Sequence, residues 1–113
     1  MDRSRVALGR WGEDLVARRY ESDGYEVLDR NWRIKGGEID LVLGRNDEIV
    51  FCEVKTRSSN SFGSGLEAVG PRKQQLVRRT ALSWLDRHGR RGRLRFDVAS
   101  VVAGQVRVVA GAF

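Results

Sequence analysis

Four residue types are nearly missing from this chain: it carries one cysteine, one proline, one histidine and one methionine. The lone Cys52 excludes an internal disulfide and any metal site built from several thiolates. Its place inside an apolar run reads as a small buried hydrophobe. The lone His88 falls at the end of a helical stripe, which suits packing or a helix C-terminus better than a ligand or base. Long apolar runs are absent too. None approaches the roughly 20 residues that span a bilayer, so no membrane partner is expected. The opening stretch "MDRSRVALGRWGEDL" lacks the apolar core of a signal peptide. The expected compartment is therefore the cytoplasm. Lysine is also scarce. Counting along the sequence gives 18 arginines but only Lys35, Lys55 and Lys73, so each lysine position carries information.

What is present describes a globular chain. Of its 113 residues, 41% are hydrophobic and 32% charged, the composition of one packed domain over 1–113. A chain this long buries roughly two-thirds of its unfolded surface. The formal net charge is +6 and the pI about 10.4. An excess of this size favours a polyanionic partner, nucleic acid first.

Periodicity supplies the elements. Over 4–22, Leu8, Trp11, Gly12, Leu15, Val16 and Tyr20 recur at helical steps. Asp2 or Ser4 is placed to cap this helix and Gly24 to end it. Strands are predicted over 25–32, 38–43 and 49–56, the last two joined by "GRND". The third is apolar on both faces at its start, as in a central strand covered from both sides. "RSSNSFGSG" over 57–65 reads as a mobile loop. Pro71 then opens a second helix over 71–88, with Leu76, Val77, Thr80, Ala81, Trp84 and Leu85 on one stripe. Two more strands are predicted over 93–102 and 105–110. The order helix, three strands, helix, two strands predicts an α/β fold, a mixed sheet of about five strands flanked by helices.

Charges interrupt the apolar pattern in one place. "GEIDLVLGRNDEIVFCEVKTR" carries Glu38, Asp40, Glu53 and Lys55 inside two strands. Buried charge is costly unless paired. Residues two apart on a strand share a face, so Glu38, Asp40 and Val42 are expected on one face, and Glu53 with Lys55 on one face of the next strand. A register that joins those faces gathers Asp40, Glu53 and Lys55. Two close carboxylates repel unless a cation intervenes. Mg²⁺ binds through one or two carboxylates plus phosphate oxygens. Glu13 lies at the margin of the first helix's apolar arc, within reach of the sheet. This donor set suits phosphodiester hydrolysis: a metal activates water and polarises phosphate, and an ammonium stabilises developing negative charge. The bland alternative is a cross-strand ion pair, or charges that protect a sheet edge.

The same stretch resembles the core motif of the PD-(D/E)XK nuclease superfamily, an aspartate followed after a dozen residues by E-x-K. More closely, the chain resembles the YraN-like family of small bacterial proteins. The blocks "GRWGEDLVARRY", "GYEVLDRNWR", "GEIDLV", "FCEVKTR", "FGSGLEAVGPRKQQLVRRTALSWL" and "RFDVASV" carry the likeness in order. The resemblance implies a restriction-endonuclease-like fold with metal bound by carboxylates; taken with the acidic strand cluster, Lys55 and the basic balance, it leads to the expectation of a metal-dependent endonuclease acting on branched or flapped DNA in repair or recombination. It implies Mg²⁺ or Mn²⁺ held by Asp40, Glu53 and the Val54 backbone carbonyl, with Lys55 positioning water. Glu13 matches the first-helix acid of archaeal Holliday-junction resolvases. The same kinship implies a homodimer.

Outside that motif, Arg57, Arg72, Lys73, Arg78 and Arg79 are candidates for phosphate contacts, with a solvated basic face as the alternative. Lys73 could reach either a phosphate or the acidic face. Trp11, Trp32 and Trp84 are expected in the core rather than as base-stacking platforms. Asp97 in "RFDV" is expected to pair with Arg95 or Arg93. The rival functional reading is a nucleic-acid-binding module that keeps the nuclease fold without cleaving.

Overall fold

A computed structural model describes residues 3–57 and 69–113. The loop expected over 57–65 lies almost wholly outside the described residues, as does the Asp2 cap. The elements are α1 (Arg3–Ser22), β1 (Glu26–Ile34), β2 (Gly37–Arg45), β3 (Glu48–Arg57), α2 (Pro71–His88), β4 (Arg93–Val102) and β5 (Gln105–Val109). This is the predicted order. The strands form one open sheet, β1-β2-β3-β4-β5. Only β3 and β4 are parallel; every other neighbour pair is antiparallel. A parallel neighbour needs a crossover, and the segment containing α2 supplies it.

Each helix covers one face of the sheet. Val16, Ala17 and Tyr20 of α1 pack on Leu41, Leu43, Val50, Cys52, Ala99 and Val101. Val77, Ala81 and Trp84 of α2 pack on Ile39, Val42, Ile49, Phe51 and Phe96. β3 is thus central, and Cys52 is a buried hydrophobe on the α1 side. Trp84 anchors α2: its ring meets Phe51 edge-on at 5.8 Å and its Nε1–H donates to Asp29 at 2.9 Å. α2 starts at Pro71 and ends at Gly89, whose φ of 60° is open to glycine at little cost. His88 stacks on Trp84 and its Nδ1 meets the Trp84 carbonyl at 2.8 Å, a packing role at the helix C-terminus.

Two expectations fail here. Trp11 is not a core residue; it is 45% exposed. The face of α1 that meets the sheet is set by Gly12, Val16 and Tyr20, and Trp11 lies at its edge, beside the Gly104 turn. Strict alternation also fails on β2. Ile39 and Val42 join the α2 cluster while Leu41 and Leu43 join the α1 cluster, so the pleat changes phase around Asp40. The ladder between β2 and β3 runs from Arg45/Glu48 to Leu41/Cys52, and the slip comes where it stops.

The approach of α1 to β3 depends on Gly12. A Cβ there would stand 1.9 Å from Thr56 Oγ1 and 2.7 Å from its Cγ2. Gly12→Ala is therefore expected to destabilise the fold by about 1–3 kcal/mol through overpacking, exceeding the gain of about 1 kcal/mol in helix propensity. Urea unfolding of the two proteins measures it; an alanine variant that is more stable would show that α1 does not sit this close.

Candidate active site

The site forms where β2 and β3 part. Past the Leu41/Cys52 pair a side chain takes over from the backbone: the Val54 N–H donates to Asp40 Oδ2 at 2.8 Å. This bond fixes the Asp40 carboxyl beside β3 and brings it within hydrogen-bond reach of Glu53. Burial and the neighbouring Glu53 charge push the Asp40 carboxyl up to about 8, against the pull of the Val54 N–H. Burial beside a second carboxylate thus favours the protonated form of Asp40. Close carboxylates do this when no cation separates them.

Glu53 follows Ile49 and Phe51 in strand parity and so faces α2. Lys73, in the first turn of α2, reaches it there, with Nζ 3.4 Å from Glu53 Oε1. The sequence left two destinations open for Lys73; the structure puts it on the acidic side. Lys55 shares the parity of Glu53, one pleat further along β3.

Glu13 reaches the site from α1. Its carboxyl accepts a hydrogen bond from Asn31 Nδ2 at 3.0 Å. Burial raises its proton affinity, opposed by Asn31 and Arg30. Its charge in turn raises Asp40. Among the described residues, however, no three histidine, cysteine, aspartate or glutamate side chains are gathered closely enough to hold a metal by themselves. The pair that meets is Asp40 and Glu53. Glu38 turns to β1, where Arg33 Nη2 donates to it at 3.2 Å.

Asn31 was missed by sequence reasoning. It interrupts β1 with a φ of 49°, a left-handed backbone that asparagine tolerates better than most residues, and it presents its amide to Glu13. An asparagine amid strand-forming residues was the available signal.

The donor set fits a hard divalent cation of the Mg²⁺ type, which takes one or two carboxylates and completes its shell with water and phosphate. Of the two neighbouring carboxylates, one holds a proton and the other an ammonium, positive charges that a divalent cation would have to replace. A closed cage of protein ligands is not what these residues build.

The model of the uncharacterised protein family UPF0102 matches residues 12–101. The chain belongs to this family. A UPF0102 protein of Frankia casuarinae is 50% identical over 117 aligned residues, covering 98% of this chain and 99% of that protein. One from Streptomyces griseus is 50% identical over 101 residues, covering 88% and 85%. One from Kineococcus radiotolerans is 46% identical over 101 residues, covering 88% and 83%. The YraN-like resemblance is therefore shown at family level. The UPF0102 match spans Glu13, Asp40, Glu53, Lys55 and Lys73, and begins just after the exposed Trp11.

The basic candidates separate in this UPF0102 chain. Arg72 and Arg79 are exposed on α2. Arg78 is exposed too, and its guanidinium lies over Phe96 at 5.6 Å and Phe113 at 5.4 Å. Arg57 is half-buried at the end of β3. Asp97 pairs with Arg95, as expected, whereas Arg93 pairs with Asp47. No helix among the described residues is long and apolar enough to cross a membrane.

Proposed function

We propose that this protein is a Mg²⁺- or Mn²⁺-dependent endonuclease that hydrolyses phosphodiester bonds in DNA, with branched or flapped DNA as its substrate class. The observation that carries the reading is the meeting of Asp40 and Glu53 at the open end of the β2–β3 ladder, on the E-x-K strand. The resemblance to PD-(D/E)XK nucleases, the +6 charge and the single lysine two residues beyond Glu53 support it.

Asp40 and Glu53, with the Val54 carbonyl, would hold the metal. When bound, the metal supplies polarisation of the phosphate and acidification of a water. The protein's own groups do the rest. Lys55 orients the attacking water and offsets negative charge on the phosphate oxygens as the water oxygen bonds to phosphorus and the ester oxygen leaves. Arg72 and Arg79 hold the flanking backbone by charge. Asn31 keeps Glu13 in place at the rim of the site. A homodimer cutting paired strands, and a cytoplasmic location, belong to the same reading.

The test is purified protein with Mg²⁺ or Mn²⁺ on single-stranded, duplex, flapped and four-way DNA. Lys55→Ala is expected to lower kcat by about 10²–10³-fold with little change in DNA affinity. Cleavage indifferent to Lys55→Ala rejects the assignment. Salt-dependent DNA binding without cleavage under any metal supports the rival, a binding module that keeps the fold.

A further inference from the structure

We infer that Lys73 is the resident counter-ion of the metal-free site, displaced from Glu53 when a divalent cation binds and thereby released to the substrate phosphate. The inference rests on the nuclease reading above and adds a coupling between metal and substrate that the reading does not contain.

The helix start is tied locally, and the helix is anchored one turn further on. Pro71 opens α2, the Gln74 N–H donates to the Gly70 carbonyl at 2.9 Å, and Gln74 Nε2 donates to the Val69 carbonyl at 2.7 Å. Further along, Val77, Ala81 and Trp84 are buried against the sheet. The side chain of Lys73 is different. It is 51% exposed, whereas Glu53 is only 15% exposed. A flexible four-carbon stem on a fixed backbone can swing its ammonium through several ångströms.

Glu53 cannot serve both cations in the same way. A divalent ion bound between Asp40 and Glu53 would stand within a few ångströms of an ammonium 3.4 Å from Glu53 Oε1. Like charges that close repel by one to several kcal/mol at effective dielectric constants between about 80 and 20. The cheapest response is for the half-exposed lysine to leave. Its ammonium is then a compact triple donor beside the site, suited to a phosphate oxygen. Before metal arrives the same ammonium is engaged on Glu53, and incoming phosphate meets acidic oxygens. Metal binding therefore prepares the phosphate site, and by linkage substrate strengthens metal binding to the same degree.

The test separates exchange from the nuclease reading. Mn²⁺ binding to DNA-free protein is titrated by electron paramagnetic resonance of the free ion, for the parent, Lys73→Gln and Lys73→Arg. Circular dichroism and urea midpoints establish that all three fold. Lys73→Gln is expected to bind Mn²⁺ about two- to fivefold more tightly, the scale of a partly exposed ion pair, with Lys73→Arg close to the parent. At saturating Mn²⁺, Lys73→Gln is expected to raise KM for DNA at least about threefold and leave kcat within about twofold. Unchanged or weaker Mn²⁺ binding by Lys73→Gln overturns the exchange alone. A parent protein that takes up no Mn²⁺ overturns the exchange and the nuclease reading together.

Discussion

Asp40→Asn protein is expected to be inactive yet more stable than the parent at pH 8 without metal. Both effects come from one carboxyl. In the folded protein Asp40 holds its proton up to about pH 8, whereas an unfolded aspartate releases it near 4. Below about pH 4 both states are protonated. Between 4 and 8 the folded state binds more protons than the unfolded state, so the contribution of this group to stability falls as pH rises. The loss is complete once pH passes the folded value, and amounts to a few kcal/mol, on the order of 2–5. Asparagine keeps the acceptor for the Val54 N–H and gains an amide that can donate to Glu53. Its stability curve should lack this slope, and its Tm at pH 8 should exceed the parent's by about 10 °C. Divalent metal should narrow the difference by stabilising only the parent. Cleavage should fall by more than the 10–100-fold typical of losing an outer-shell partner of a metal. Thermal unfolding from pH 4 to 9, with and without Mg²⁺, measures the first effect. Identical slopes in the two proteins would show that Asp40 is not the strained group.

Asp97→Ala should have the opposite outcome: a weakened fold with its site chemistry intact. Asp97 is fully buried. It accepts from Tyr20 Oη at 2.6 Å, from Arg95 Nε and Nη2 at 2.9 and 2.8 Å, and from the Gly111 N–H at 3.0 Å. Arg95 also donates to Tyr25 Oη at 3.0 Å and to Glu48 at 3.2 Å. One carboxylate thus ties α1, β4 and the C-terminal turn together, and through Arg95 the start of β3. Alanine leaves a phenol and a backbone N–H without their acceptor, and a guanidinium with only Tyr25 and Glu48. Breaking such a pair from one side costs about 3–5 kcal/mol, a fall in Tm of roughly 15–20 °C. Replacing both partners, with Arg95→Met and Asp97→Leu together, should recover part of the loss, because the buried Asp97 position then holds no charge while Glu48 keeps the Tyr25 hydroxyl as donor. A single variant with an unchanged denaturation midpoint would reject the network as a stabilising element.

These two aspartates show how far the sequence could be read. Both interrupt apolar strands in nearly the same way, "EIDLV" and "RFDVA". Both were legible as charges requiring partners, with Arg95 or Arg93 expected beside Asp97, and the structure decided for Arg95. That Tyr20 from α1 and Gly111 from the far end of the chain complete its shell was not legible, because neither lies near it in sequence. The two helices, the central strand and its two apolar faces followed from periodicity, since side-chain spacing alone dictates which residues a helix or strand can bury. The expectation for Trp11 failed because periodicity describes a helix face but not how far the neighbouring sheet extends beneath it.

What the sequence determined by itself was therefore the inventory of elements, the parity of Glu53 with Lys55, and the short list of acids and lysines from which a site could be built. The tertiary structure decided the meeting of Asp40 with Glu53, the placing of Lys73 on the acidic side beside Glu53, and the station of Glu13 beside Asn31. The reason is physical. Local spacing sets which face a side chain occupies only while the ladder is regular. At Asp40 the pleat changes phase and the ladder stops, so the chain's most consequential contact depends on where two strands part, and that is set by packing across the whole sheet.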